Sequence, residues 1–259
     1  TMFNVLNVLI LIWFVPFLVK MAVKTVKSKG GVDEEFHLEY ISTGMMSTAE
    51  LSLIEAKKEI LKFGRQTRKM NGFIQDLMVE TETKKQTALL SRIKKYEDIT
   101  DRLEVEIADY LRKVSEGELS QEASTNIRGM LSTIGDLERI GDIYYQMSKV
   151  LERKIEEKTY FLPEQRNNIL ALLGKIDDAF EVMVSNLEAE EGAVSITSAK
   201  QKEGDVNTLR NKLRKEHLAN VEKGEYDVKS GMAYSDLYSS CEKVGDHIIN
   251  VTEAIIGEV

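Results

Sequence analysis

A five-residue pattern occurs twice in this chain and predicts that its two halves share one fold. Glu138-Arg139-Ile140-Gly141-Asp142 returns as Glu242-Lys243-Val244-Gly245-Asp246, with Glu242 lying 104 residues after Glu138. The stretch 114–120 returns as 221–227, and in both copies a glycine that can end a helix precedes a residue that can cap the next one. Two independent features therefore agree on the repeat. Self-similarity of this kind constrains the architecture more than any single motif.

The spacing of apolar residues predicts three helices in each half. The 259 residues contain only two prolines and little strand-like alternation, so the fold class is expected to be all-α. The first predicted helix is capped by Ser47, with Leu51, Ile54, Ile60 and Leu61 on its apolar face. The predicted helices of the first half are 47–80, 83–114 and 120–158. In the second half, a helix over 163–190 is followed by one that ends near 221 and one that begins after 227.

An apolar stretch at the start of the chain predicts a transmembrane helix. Residues 2–22 are apolar apart from two asparagines and one lysine, and about 20 such residues span a bilayer core of ~30 Å. Four lysines end or follow the run: Lys20, Lys24, Lys27 and Lys29. Positive charge on that side argues against a cleaved signal peptide and predicts that the rest of the chain is cytosolic. A buried helix of a soluble protein is the alternative. Because position 1 is Thr, we interpret the chain as the end of a longer membrane protein.

The predicted organisation follows from these elements. It comprises a transmembrane helix at 1–27, a glycine-containing linker at 28–46, and three-helix bundles at 47–160 and 161–259. A formal charge of −8 argues against a nucleic-acid partner and suits a cation binder. The single cysteine, Cys241, excludes an internal disulfide and is expected in the core, as is His217. No phosphate-binding loop or nucleophile motif is present, so we do not expect an enzyme.

The repeated pattern places carboxylates at the edge of a buried helix face. Residues four apart share a face, so Glu138 and Asp142 lie together, with Glu138 and Gly141 inside the apolar arc and Asp142 on its margin. Glu242 and Asp246 repeat this arrangement. Like charges at this spacing cost about 0.2–0.5 kcal/mol even in water. A compensating cation is therefore expected near each pair.

The middle helix of each half carries further oxygen donors. Glu97 and Asp101 lie beside an apolar stripe, and their counterparts are Glu203 and Asn207. A helical hairpin would bring the donors of two helices together, which is how metal sites form in bundle cores. Oxygen donors favour hard cations such as Mg²⁺, Ca²⁺, Mn²⁺ or ferric iron, with zinc also compatible. The predicted metal ligands are Glu97, Asp101, Glu138, Asp142, Glu203, Asn207, Glu242 and Asp246.

Salt bridges between helices are the alternative for the acids of the repeated pattern: Glu138, Asp142, Glu242 and Asp246. For the donors of the two middle helices, the alternative is a solvated helix margin. The candidate partners are Arg92, Arg102, Lys212 and Arg214. If both sites hold metal, the first is expected to bind more tightly, because Asn207 contributes no charge. Gly141 and Gly245 each cost about 1 kcal/mol of helix propensity. A close helix crossing, or room for a metal-bound species, would explain why both copies keep a glycine.

These residues carry a resemblance to a known family. The repeated ExxxD and ExxxN motifs, two per three-helix unit, resemble those of the PhoU family, whose members bind metal clusters at such motifs. The order of an apolar helix with Phe3-Asn4-Val5-Leu6-Asn7, a linker, and AELSLIEAKKEI at 49–60 resembles the junction before the PhoU-like tail of bacterial sodium/phosphate cotransporters. The resemblance extends over essentially the whole chain, and Asn207 is a departure from the acidic pattern.

The resemblance implies a regulatory function in phosphate transport. It implies a cytosolic PhoU-like domain attached to the inner membrane, with iron, zinc or magnesium at the ExxxD motifs. The implied partners are the membrane domain of the same transporter and, through it, inorganic phosphate and sodium; assembly of several copies stays open. A membrane-anchored interaction scaffold without metal is the alternative. A ferritin-like metal oxidase is a third hypothesis, disfavoured because the predicted helices contain no ExxH pair.

Overall fold

Six helices, and no strands, account for the part of the chain that the structure describes. The computed structural model describes residues 37–41, 48–117, 119–190, 192–225 and 227–258. The helices are α1 (Ala49–Val79), α2 (Thr83–Ser115), α3 (Gln121–Glu156), α4 (Pro163–Glu188), α5 (Ile196–Glu222) and α6 (Val228–Ile255). The all-α prediction is therefore confirmed. The predicted helices match these six within a few residues.

The ends of the helices reflect the capping residues in the sequence. The Ser120 side chain accepts a hydrogen bond from the backbone N–H of Ala123 at 3.0 Å, and Asp227 caps α6 in the same way. Gly224, after α5, has a φ of +67°, a conformation that favours glycine. The predicted cap of α1 at Ser47 lies outside the described residues. Thr48, which precedes α1, makes no capping hydrogen bond through its side chain.

The buried face of α1 differs from the predicted one. Leu53, Ala56 and Ile60 point into the core, whereas Leu51 and Ile54 are 47% and 52% exposed. Successive residues of a helix are rotated by about 100° around its axis. Because Leu53 points into the core, its neighbour Ile54 points away from it. The prediction that Leu51 and Ile54 lie on the apolar face is wrong, and that of Ile60 is right.

Residues 37–259 form one compact unit in which the helices pack in two triplets. Helices α1, α2 and α3 contact one another, as do α4, α5 and α6. The triplets meet mainly through α3 and α6, and also through α1 and α4. The predicted boundary at 160/161 falls in the connection between α3 and α4. The division into two domains stays a prediction.

Polar side chains fix how the two triplets meet. Arg68 of α1 donates two hydrogen bonds of 2.9 Å to the carboxylate of Asp177 on α4. The buried Asn71 amide donates to the carbonyl of Leu173 at 3.0 Å and accepts from the Tyr144 hydroxyl at 3.2 Å. These bonds satisfy groups that would be costly to bury alone and so specify one alignment of the triplets.

The described residues include no helix with the length and hydropathy that crossing a membrane requires. The predicted transmembrane helix lies outside the described residues, as does most of the predicted linker.

Candidate metal centre

A glycine sets the distance between α2 and α3 at the first repeated motif. A Cβ added to Gly141 would lie 2.6 Å from the Thr100 hydroxyl oxygen and 3.2 Å from its Cβ. At the equivalent crossing of α5 and α6, a Cβ on Gly245 would lie 3.3 Å from a methyl group of Val206. A close helix crossing therefore accounts for both glycines. It also brings the acids of the middle helix beside those of the third.

Three acids of the first triplet meet at this crossing. One ligand oxygen from each of Glu97, Asp101 and Asp142 lies within 4.8 Å of the others. Glu97 is buried, Asp101 is partly buried and Asp142 is exposed. The buried Oδ1 of Asp101 has no hydrogen-bond partner. A buried acceptor of this kind is unusual, because most buried polar atoms are paired. We call this group the acid cluster.

Glu138 lies at the margin of the acid cluster. It is partly buried, one helical turn before Asp142. Burial raises the pKa of Glu138, and the carboxylates of Asp142, Asp101 and Glu104 raise it further. Burial also raises the pKa of Asp101, with further contributions from Glu97 and Asp142. In both groups burial is the largest cause of the shift, and the neighbouring carboxylates add to it.

One lysine partly neutralises the acid cluster. The Lys94 ammonium lies 2.5 Å from a carboxylate oxygen of Glu97 and 3.0 Å from one of Asp98. These hydrogen bonds raise the pKa of Lys94. Arg92, one of the predicted alternative partners, has its guanidinium 4.3 Å from the centre of the Phe73 ring. One acid of the cluster therefore has a cationic partner, while Asp101 keeps an unpaired oxygen.

The equivalent acids of the second triplet are arranged differently. Arg210 of α5 forms an ion pair with Glu242 of α6. The Asn207 amide donates a hydrogen bond to Glu203, and Asp246 is exposed. Across the described part of the chain, the acid cluster is the one group in which three His, Cys, Asp or Glu side chains could share a metal ion. The structure therefore brings Glu97, Asp101 and Asp142 together but places an arginine among their counterparts.

Arg210 is a site residue that the sequence interpretation missed. Thr100 and Val206 occupy equivalent places at the two helix crossings, 106 residues apart. The same offset relates Glu104 to Arg210, so the second copy has a base where the first has an acid. Aligning the middle helices in this register would have found the substitution. The repeated pentads alone could not, because Arg210 lies outside them.

The two described helical histidines and the cysteine pack or hydrogen-bond away from the acid cluster. His217 is buried against the rings of Tyr234 and Tyr238, as predicted for a core residue. Cys241 is fully buried, and burial raises the pKa of its thiol to about 12. His247 of α6 has Nδ1 2.7 Å from a carboxylate oxygen of Asp136 on α3. None of them belongs to the acid cluster.

The acid cluster has the chemistry that a hard cation requires. Glu97, Asp101 and Asp142 offer carboxylate oxygens from two helices, with Glu138 close enough to raise the local negative charge. Hard cations such as Mg²⁺ and Mn²⁺ prefer such oxygen ligands. A cation here would also satisfy the unpaired oxygen of Asp101. The residues present therefore fit a metal ion, whose binding stays a prediction.

Sequence comparison finds a match to a known domain over the region that contains this cluster. Residues 65–151 match the PhoU domain, so the prediction of a PhoU domain is confirmed over that range. A Salmonella typhimurium protein, YjbB, named for a proposed role in inorganic phosphate export, is 22% identical over 216 residues. That alignment includes 83% of this chain but only 36% of YjbB, so the chain spans about a third of the length of this relative.

Comparison of structures gives the same fold over a larger part of the chain. The crystal structure of PhoU from Pseudomonas aeruginosa superposes with a TM-score of 0.64 at 16% identity, covering 80% of this chain and 96% of that one. The phosphate transport system regulatory protein PhoU from Streptococcus pneumoniae superposes with a TM-score of 0.61 at 17% identity, covering 80% and 95%. The six-helix unit therefore has the PhoU fold.

Proposed function

We propose that this chain is the PhoU-like regulatory domain of a phosphate transporter and that it binds a hard metal cation at the acid cluster. The main support for the cation site is the buried Oδ1 of Asp101. This oxygen lies beside Glu97 and Asp142 and has no hydrogen-bond partner. The PhoU domain at 65–151 and the similarity to YjbB support the phosphate context. A regulatory role also agrees with the absence of a catalytic motif from the sequence.

The transporter we propose is a sodium-dependent phosphate cotransporter of the inner membrane. The apolar residues 2–22 and the lysines after them support attachment to a membrane domain, with the helical unit in the cytosol. Phosphate and sodium would be handled by that membrane domain. The helical unit would act on it as a regulatory partner.

The residues of the acid cluster would couple cation binding to the packing of two helices. Glu97 and Asp101 belong to α2, whereas Asp142 and Glu138 belong to α3. Without a cation, their mutual repulsion acts against the close crossing at Gly141. A cation would supply positive charge that offsets this repulsion. Binding or loss of the cation would thereby change the stability of the first triplet. Such a change in stability is a means of regulation.

Phosphate flux in cells tests this function. The intact gene would carry Asp101→Asn with Asp142→Asn, and the matched control would carry Asp246→Asn in the second triplet. We expect the double variant to lose the normal dependence of phosphate uptake on phosphate supply, while the control keeps it. Unchanged regulation in the double variant, with normal protein levels, would contradict the proposed role of the acid cluster.

An interaction scaffold without metal is the second candidate. The ion pair between Arg210 and Glu242 favours it, since this pair neutralises an acid that was predicted to bind metal. The lysine beside Glu97 has a similar effect in the first triplet. Metal content after purification without chelator or a nickel column separates the two candidates. A scaffold would contain none.

A further inference from the structure

We propose that residues 37–41 form a docked strap that couples the helical unit to the membrane domain. This segment lies within the stretch 28–46, which the sequence predicts to be a linker. In the structure it belongs to the same compact unit as the six helices. The coupling rests on the proposed function, because it requires a membrane domain before the strap. The docking follows from contacts within the described residues alone.

A buried carboxylate of α1 holds the backbone of the strap. Glu59 is fully buried, and its Oε2 accepts hydrogen bonds from the backbone N–H groups of Glu39 at 2.9 Å and Tyr40 at 2.8 Å. Hydrogen bonds to an ionised acceptor are roughly twice as strong as those between neutral groups. Release of the strap would remove both donors from this buried charge, which is costly. The two bonds therefore favour the docked strap.

A lysine one turn further along α1 completes the attachment. The Lys62 ammonium donates to the carbonyl of His37 at 2.8 Å and lies 3.3 Å from Oε1 of Glu59. It also lies 3.4 Å from the carboxylate of Glu39. The strap contributes one buried side chain, Ile41, which is 7% exposed. The site on α1 thus binds the backbone of the strap and one apolar anchor.

The strap runs along the side of α1 in the opposite direction. Its first residue, His37, contacts Lys62, whereas the later residues Glu39 and Tyr40 contact Glu59. Glu59 comes ten residues after position 49, where the helix begins. At a rise of about 1.5 Å per residue, the two positions lie roughly 15 Å apart along the helix axis. The chain is therefore fixed to α1 about three turns beyond the first residue of the helix.

This attachment would transmit changes in the first triplet to the membrane domain. Residues 28–36 separate the predicted transmembrane helix at 1–27 from the strap. A linker without contacts would let the helical unit move independently, whereas a docked strap follows α1. Helix α1 packs against α2 and α3, which carry the acid cluster. A change in how these helices pack would shift the place where the connection is held.

Hydrogen exchange at the backbone amides of Glu39 and Tyr40 tests the docking in the purified full chain. Both amides should be protected in the parent protein. Glu59→Gln should speed their exchange by about ten- to hundredfold, as expected for loss of a charged hydrogen bond. The control is Glu55→Gln, one turn earlier on α1, where the acid accepts a hydrogen bond from the Tyr110 hydroxyl at 3.0 Å. Exchange at the strap should be the same in this control as in the parent.

A second pair of variants applies if Glu59→Gln does not fold. Ile41→Ala removes the apolar anchor of the strap and leaves every helix unaltered, so exchange at Glu39 and Tyr40 should again be faster. Ile41→Val keeps most of the anchor and should preserve the protection. Exchange in the parent as fast as in an unstructured peptide would overturn the docking. Equal exchange in Ile41→Ala and Ile41→Val would do the same.

Phosphate uptake in cells tests the coupling. With Ile41→Ala in the intact gene, uptake should lose its dependence on phosphate supply, whereas Ile41→Val should keep it. Unchanged regulation in Ile41→Ala, in cells where Asp101→Asn with Asp142→Asn loses it, would overturn the coupling and leave the proposed function standing. Unchanged regulation in both would contradict the proposed function as well.

Discussion

Arg210 and Glu242 form an ion pair between α5 and α6 of the second triplet. At the equivalent positions of the first triplet, Glu104 and Glu138 are both acidic, and Glu104 contributes to the raised pKa of Glu138. One substitution in a repeated framework therefore changes the electrostatics of the crossing. The first triplet keeps an excess of negative charge at its crossing. In the second triplet, Arg210 neutralises Glu242.

Arg210→Glu should make the second triplet resemble the first. The change removes the partner of Glu242, and loss of such a charged hydrogen bond should lower the free energy of unfolding in chelator by about 1–3 kcal/mol. It should also allow a second cation to bind per chain. Arg214→Glu, an exposed position one turn further on α5, is the control. Urea denaturation with and without Mn²⁺ measures both effects. Equal behaviour of the two variants would contradict the role of Arg210.

Gly141→Ala should destabilise the protein because the added Cβ would lie 2.6 Å from the Thr100 hydroxyl. Overpacking of this kind typically costs about 1–3 kcal/mol. Gly135 lies in the same helix with no atom within 4 Å of an added Cβ. Gly135→Ala should therefore raise the free energy of unfolding by up to about 1 kcal/mol through helix propensity. A Gly141→Ala protein as stable as Gly135→Ala would show that the crossing is looser than described.

The contribution of Asp101 to the stability of the metal-free protein should fall as the pH rises above 4. The pKa of Asp101 is raised above its ordinary value of 3.8 in the folded state. The folded protein therefore holds a proton that the unfolded chain has lost, and stability decreases until the pH passes the raised pKa. Asp101→Asn should weaken this dependence and raise the melting temperature at pH 7 in chelator. Asp246→Asn is the control. A free energy of unfolding with the same pH dependence in the parent protein and in Asp101→Asn would contradict the account.

The fold was predictable from the sequence because its signals are local and repeated. Helix stops and caps, such as Ser120 and Asp227, act within a few residues of their own position. The internal repeat then limits how six helices can be grouped. The phase of α1 was predicted less well. Leu51 and Ile54 satisfy an apolar pattern locally, but the packing of neighbouring helices selects a different face.

The candidate site was only partly predictable. The repeated pentads located Asp142, and the acid pair beside the apolar stripe of α2 located Glu97 and Asp101, because helical spacing fixes which residues share a face. The contrast between the triplets depends on Arg210, whose contact with Glu242 joins two helices and leaves no mark on the pattern of either helix alone. Such contacts follow from tertiary packing, which spacing does not describe.

Calorimetric titration of the chelator-treated chain with Mn²⁺ tests the central claim most directly. We predict one cation per chain, with binding lost or weakened at least tenfold in Asp101→Asn and in Asp142→Asn, and unchanged in Asp246→Asn. Far-ultraviolet circular dichroism of each variant would verify that the helices are retained. Absence of binding to the parent protein, or an equal loss in Asp246→Asn, would contradict the assignment of the cation to the acid cluster.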